Sequence, residues 1–149
     1  MHTRPLLVPV LLATCVVAIA ASASERTHDI EPADYFTLAD ITAVAVSPDG
    51  ATLAWAERRW QASREDRNTD LWVMDLATRK PRRLTFDPSG VSHPVFSPDG
   101  RSVYFAAAVE RAGEEVPPYD GSRQVWRADL DGGEPRAVTM VDDGIDLFD

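Results

Sequence analysis

Ser47-Pro48-Asp49-Gly50 recurs as Ser97-Pro98-Asp99-Gly100, fifty positions further along the chain. Each copy stops an apolar, β-branched run: Ile41-Thr42-Ala43-Val44-Ala45-Val46 in the first, Val91-Ser92-His93-Pro94-Val95-Phe96 in the second. The tetrapeptide suits a tight turn. Ser leads, Pro presets φ, Asp bonds its own backbone, and Gly accepts a positive φ. Further on, Leu71-Trp72-Val73-Met74-Asp75-Leu76 matches Val125-Trp126-Arg127-Ala128-Asp129-Leu130, now at an offset of 54. Pro81-Arg82 and Thr85 match Pro135-Arg136 and Thr139 at the same offset. The four extra residues fall between Gly100 and Trp126, where they read as a loop insertion.

Each copy predicts four strands. In the first these cover residues 44–47, 52–57, 70–76 and 82–85; in the second, 93–97, 102–108, 124–130 and 136–139. Alternating apolar residues such as Leu53 and Trp55 mark the return strand, and Asp131-Gly132-Gly133-Glu134 supplies the last hairpin turn. Four antiparallel strands repeated at about fifty residues specify blades of a β-propeller. A β-sandwich spaces its turns similarly but does not require one turn and one Trp-x-x-Asp-Leu landmark to recur. The fold class is all-β: two four-stranded antiparallel blades plus the start of a third. Residues 31–40 allow one short turn of helix.

The N-terminus reads as an address. Residues 1–24 contain no acid, Arg4 gives a positive start, an apolar run spans residues 6–20, and Ala21-Ser22-Ala23-Ser24 offers a small-residue cleavage site. This is a secretory signal peptide cleaved after Ala23, which places the product in the periplasm or outside the cell. An uncleaved anchor is disfavoured by Pro5, Pro9 and the small-residue tail. A lipidated Cys15 is disfavoured by Thr14 before it and by the apolar run beyond it. The domain reading is signal peptide 1–23, lead segment 24–40, blade 1 at 41–90, blade 2 at 91–141, and a truncated third blade at 142–149.

Composition bounds the function. The chain of 149 residues is 44% hydrophobic and 26% charged, with 15 Lys+Arg against 24 Asp+Glu and a net charge of −9. That acidity argues against a nucleic-acid or anionic-membrane binder, which needs a basic surface. A single Cys excludes a disulfide scaffold.

Residues 41–50, the Asn68-Thr69-Asp70-Leu71-Trp72 stretch, Arg82-Arg83-Leu84-Thr85 and residues 94–101 resemble WD-repeat-like blades. Such blades occur in TolB and in the N-terminal domain of prolyl oligopeptidase-family serine peptidases, including dipeptidyl-peptidase IV-like and acylaminoacyl-peptidase-like enzymes. The resemblance covers roughly residues 31–141. TolB-like proteins carry a separate α/β domain before the propeller, for which the stretch between Ser24 and the first strand is too short. The acidic-aromatic lead Glu31-Pro32-Ala33-Asp34-Tyr35-Phe36 is similar to that of secreted bacterial peptidases of the family. The resemblance implies a propeller that gates and positions peptide substrates for a downstream α/β-hydrolase domain. Its partners would be that domain and peptides, with no nucleic acid and no membrane after signal cleavage. The alternative is a TolB-like, non-catalytic periplasmic propeller that binds a protein partner.

No catalytic, cofactor-binding or metal-binding residue is assigned. A hydrolase elbow needs G-x-S-x-G, and Gly90-Val91-Ser92-His93-Pro94 lacks its second Gly. His93 sits in a strand landmark and reads as structural. Glu114-Glu115 lies outside the Asp-Trp-x-Tyr-Glu-Glu context in which the family's paired glutamates grip a substrate amine, so it reads as a solvated loop. Asp142, Asp143, Asp146 and Asp149 lack the order of a calcium loop. Trp55, Trp72 and Trp126 read as inter-blade core, whereas Trp60 opens a long loop. The long stretches 58–69 and 110–122 read as loops sharing one face, the better candidate for contact with a partner domain or ligand. Arg58-Arg59 and the basic island at residues 79–83 read as solubilising edge charge. Two blades leave open sheet flanks, so the isolated chain is expected to aggregate or be degraded.

Overall fold

The Ser-Pro-Asp-Gly turns form as the sequence demands, and identically. The computed structural model describes residues 28–86 and 89–146. In the first turn Gly50 N donates to Ser47 O at 2.9 Å, and Ser47 Oγ donates to Asp49 Oδ1 at 2.6 Å. Asp49 Oδ1 also accepts from Ala51 N, and Ser47 Oγ from Thr52 N. Each bond recurs at Ser97, Asp99, Gly100, Arg101 and Ser102. Gly50 and Gly100 carry φ of 71° and 69°, a conformation that costs a residue with a Cβ.

Eight strands follow: β1 (Ala39–Val46), β2 (Thr52–Gln61), β3 (Asp66–Asp75), β4 (Lys80–Arg83), β5 (Ser92–Phe96), β6 (Ser102–Glu110), β7 (Asp120–Asp129) and β8 (Arg136–Ala137). They make two four-stranded sheets, ordered β1-β2-β3-β4 and β5-β6-β7-β8. Every neighbouring pair is antiparallel. The second landmark is reproduced as closely as the first. Leu71 N donates to Thr85 Oγ1 and Val125 N to Thr139 Oγ1, both at 2.9 Å. A short 3-10 helix, Pro32–Thr37, precedes the first sheet. The leader at 1–23, with Cys15, lies outside the described residues, as does Asp149. Among the described residues no helix is long and apolar enough to cross a membrane.

Cross-strand partners share a sheet face, so register shows which face is buried. Ala54 pairs with Val73 and Ala56 with Leu71 on one face of the first sheet. Val103 pairs with Ala128 and Phe105 with Trp126 on one face of the second. All eight belong to one buried cluster, so the core is the seam between the sheets, large side chains of the second set against small ones of the first. Arg82 Nη2 crosses the seam to donate to Leu130 O at 2.5 Å.

Three expectations need correction. Residues 58–69 are not a long loop: β2 and β3 run on as a paired ladder to Gln61 and Asp66, leaving only residues 62–65 to turn. Polar composition concealed strands whose cations find a partner on β1, where Arg58 and Arg67 both reach Asp40. Trp60 therefore stands on β2, where Phe36 meets its ring at 5.0 Å between centroids. Trp55 and Trp72 stack on each other at 6.2 Å on the opposite face of the first sheet, away from the core cluster. Of the three landmark tryptophans only Trp126 belongs to that cluster.

The turns carry a pH signature. Asp49 and Asp99 are held below the ordinary 3.8, first by the Ser47 and Ser97 hydroxyls and then by the following backbone N–H groups. A lowered folded pKa means stability that is present above the unfolded value and lost as pH falls through the folded one. Thermal melts between about pH 5 and pH 2 are expected to show falling stability. The Asp49→Ala, Asp99→Ala double variant should fall less steeply over the same range; an unchanged slope would remove the turns from the account.

Candidate functional site

The densest group of ionisable side chains lies on the face of the first sheet turned away from the second. Glu57 on β2 and Asp70 on β3 are cross-strand partners, and both are buried. Each carboxylate has its own cation. Arg83 Nη2 reaches Asp70 Oδ1 at 2.7 Å, and Arg59 closes on Glu57. Trp55 Nε1 donates to Glu57 Oε2 and Asn68 Nδ2 to Asp70 Oδ1, both at 3.0 Å. Burial pushes the Asp70 carboxyl above its ordinary value, more than Arg83 can recover, and Glu57 beside it adds to the rise. Burial opposes Glu57 as well, but Arg59 and the Trp55 indole outweigh it and hold Glu57 low.

This network has a neutral counterpart. At the matching positions of the second sheet stand Ala107, Gln124, Ala137 and Val109 in place of Glu57, Asp70, Arg83 and Arg59. Gln124 is fully buried, accepts from Thr139 Oγ1 and Val141 N, and donates to Val141 O. A neutral amide tolerates complete burial where a carboxylate does not. The charged version thus sits on the outer face of the first sheet, buried among its own partners, and the neutral one in the seam. With each acid neutralised by an arginine, the group is built to hold shape; neither carboxylate is left poised as a general base.

The other sequence candidates stay apart. Glu114 and Glu115 are exposed in the connection between β6 and β7, and Asp142, Asp143 and Asp146 are exposed after β8. Among the described residues no three His, Cys, Asp or Glu side chains gather as metal ligands do. His93 is exposed with φ of 51° at an irregularity in the β5–β6 ladder. Arg58 pairs with Asp40 at 3.0 Å, and Arg67 reaches the same carboxylate at 2.6 Å while lying over the Tyr35 ring. Those contacts make the 2–3 rim of the first sheet an aromatic and ionic cluster with Tyr35, Phe36 and Trp60. A cleft of about 200 Å³ lies between the segment linking the sheets and the second sheet, lined by Phe86, Phe105, Arg111, Trp126 and Glu134. The sequence reading missed the Glu57–Asp70 network. Its clue was acid at mid-strand positions where the second copy carries Ala107 and Gln124.

No family model matches the chain. A 57-residue stretch is 42% identical to the "Uncharacterized peptidase YuxL" of Bacillus subtilis, covering 38% of this chain and 8% of that protein. Among solved structures, the acylaminoacyl peptidase of Pyrococcus horikoshii aligns over 72% of this chain and 15% of its own, at 18% identity and a TM-score of 0.52. A prolyl endopeptidase structure aligns over 68% of this chain and 15% of its own, at 21% identity and a TM-score of 0.51. The chain therefore spans a small part of each protein it matches. In fold, the two sheets are β-propeller blades similar to those of the acylaminoacyl peptidase and the prolyl endopeptidase.

Proposed function

We propose that these blades lead the propeller of an exported prolyl oligopeptidase-family serine peptidase, gating and positioning peptides for a hydrolase domain further along a longer chain. The observation that carries the reading is the 42% identity over 57 residues with a relative named as a peptidase. The blade geometry supports a longer array. Gly90 has φ of 62° and leads into Val91, whose N–H donates to Thr69 O at 3.1 Å. Fifty-four residues later Gly144 has φ of 71° and leads into Ile145, whose N–H donates to Arg123 O at 2.8 Å. The chain thus takes up after β8 the path by which it entered the second blade, as a third blade at 142–149 requires.

The test is the product of the whole coding region, assayed for peptide hydrolysis and for labelling by a serine-reactive fluorophosphonate. Both are expected, and both should disappear when the serine of a downstream G-x-S-x-G elbow is changed to Ala. A product of several blades with no elbow, inert to the probe and bound to a protein partner, would leave the TolB-like alternative. Export is part of the proposal, with the periplasm or the medium as destination. N-terminal sequencing of the mature product is expected to begin at Ser24, and a retained Met1 would contradict cleavage.

A further inference from the structure

Five aspartates stand immediately before a glycine: Asp49, Asp99, Asp120, Asp131 and Asp143. Such a pair can close on itself, because glycine has no Cβ to shield its nitrogen and bends the backbone freely. The glycine nitrogen attacks Cγ of the aspartic acid, a C–N bond forms, and the side-chain hydroxyl leaves as water with the amide proton. Water then reopens the five-membered succinimide at either carbonyl. Opening at the α carbonyl leaves the main chain running through the side chain, as isoaspartate. One water is lost and one regained, and no other reagent enters. In a folded chain the rate depends on whether the carboxyl group and the nitrogen are free to meet.

In four of the pairs the fold holds these groups in place. Asp49 Oδ1 and Asp99 Oδ1 each accept from a serine hydroxyl at 2.6 Å. They also accept from the backbone N–H two residues on, at 3.0 and 3.1 Å. Their glycines are engaged as well: Gly50 N and Gly100 N donate to Ser47 O and Ser97 O, both at 2.9 Å. Asp120 Oδ1, at the start of β7, accepts from the Ser122 N–H at 2.9 Å and from its hydroxyl at 2.5 Å. Asp143 is exposed, but its glycine is pinned. Gly144 N donates to Val141 O at 2.9 Å, and a Cβ on Gly144 would stand 3.0 Å from Arg123 O.

Asp131 differs on each count. It is exposed in the turn between β7 and β8, and among the described residues its carboxylate has neither a hydrogen bond nor an ion pair. Gly132 N reaches Asp129 O only at 3.3 Å, against 2.9 Å for the bonds at Gly50, Gly100 and Gly144. A second glycine follows. Gly132 and Gly133 have φ of 119° and 96°, and a Cβ on either would meet nothing within 4 Å. We propose that Asp131 is a site of spontaneous isoaspartate formation, the one Asp-Gly pair of the five that the folded chain leaves free to cyclise. The conversion adds a methylene to the main chain and turns the α carbonyl into the carboxylate. It does so beside Leu130, whose carbonyl holds Arg82 across the seam, and ahead of β8, which has only two residues paired with β7. The inference rests on turn geometry alone and not on the peptidase reading.

The test is ageing of the full-length protein in warm, neutral buffer, followed by peptide mapping that separates aspartate from isoaspartate. Labelling by an isoaspartyl O-methyltransferase, which methylates the new α-carboxylate, gives a second readout of the same residue. In the folded protein isoaspartate is expected at Asp131, forming about tenfold or more faster than at the other four sites, where hydrogen bonds must open first. In urea, with the turns melted, the five rates should draw together. Asp131→Glu should abolish the signal at this position, because the longer side chain closes its ring far more slowly, with far-UV circular dichroism unchanged. Intact Asp131 after ageing that converts a free peptide of the same turn would overturn the proposal. Equal conversion of all five sites in the folded protein would do so too, as would a preference for Asp131 that persisted undiminished in urea. None of these outcomes touches the peptidase reading, which peptide hydrolysis and probe labelling decide.

Discussion

Phe105→Ala is expected to destabilise the protein by about 3–5 kcal/mol, a large share of the stability of an ordinary domain. Phe105 is 2% exposed and pairs across the ladder with Trp126 at the centre of the seam between the blades. Its ring lies in the same buried cluster as Ala54 and Ala56 of the first sheet. Those alanines have no larger side chain with which to close over the vacancy, so the cavity persists and adds its own cost to the lost burial. The check is the midpoint of urea unfolding. Val44→Ala on the open face provides the contrast, since a side chain 56% exposed loses little by truncation. Equal shifts for the two variants would mean that the seam is not the main source of stability.

Asp70→Ala is the second large effect, expected at about 2–4 kcal/mol near neutral pH. The substitution strands Arg83, whose side chain is 27% exposed, and removes the acceptor for Asn68. Asp70→Asn keeps the shape and one acceptor oxygen, and should recover a good part of the loss. The pH dependence has the opposite sign to that of the turn aspartates. The Asp70 carboxyl is raised on folding, so its protonated form is the one favoured in the native state. Its contribution to stability is fullest below the unfolded value of 3.8 and declines as pH rises through the higher folded value. Relative to Asp70→Asn, the native protein is therefore expected to gain on acidification, measured by paired urea titrations. A gap that narrowed on acidification would contradict the burial argument.

Much of the fold was legible because the signals were local and duplicated. Ser47 to Gly50 and Ser97 to Gly100 specify their turns within four residues, and the Thr85 and Thr139 hydroxyls take up backbone donors at one fixed spacing. What stayed hidden depended on partners distant in the chain. Arg58 and Arg59 read as loop because their cross-strand partners, Thr69 and Asn68, lie across a turn that no motif announced. Trp55 and Trp72 were correctly placed on strands, but choosing their face required knowing which blade lies on which side. The Glu57–Asp70 network was visible as two acids, and only register made them neighbours.

That network also bears on how the chain survives its own biosynthesis. During synthesis the first blade emerges ahead of the second, whose seam it will share. Glu57, Arg59, Asp70 and Arg83 interrupt the apolar surface of its outer face with fixed, internally neutralised charge. Charge placed in this way works as a gatekeeper against nascent chains sticking to one another. Replacing all four with the neutral set of the second blade would be expected to lower the yield of folded product.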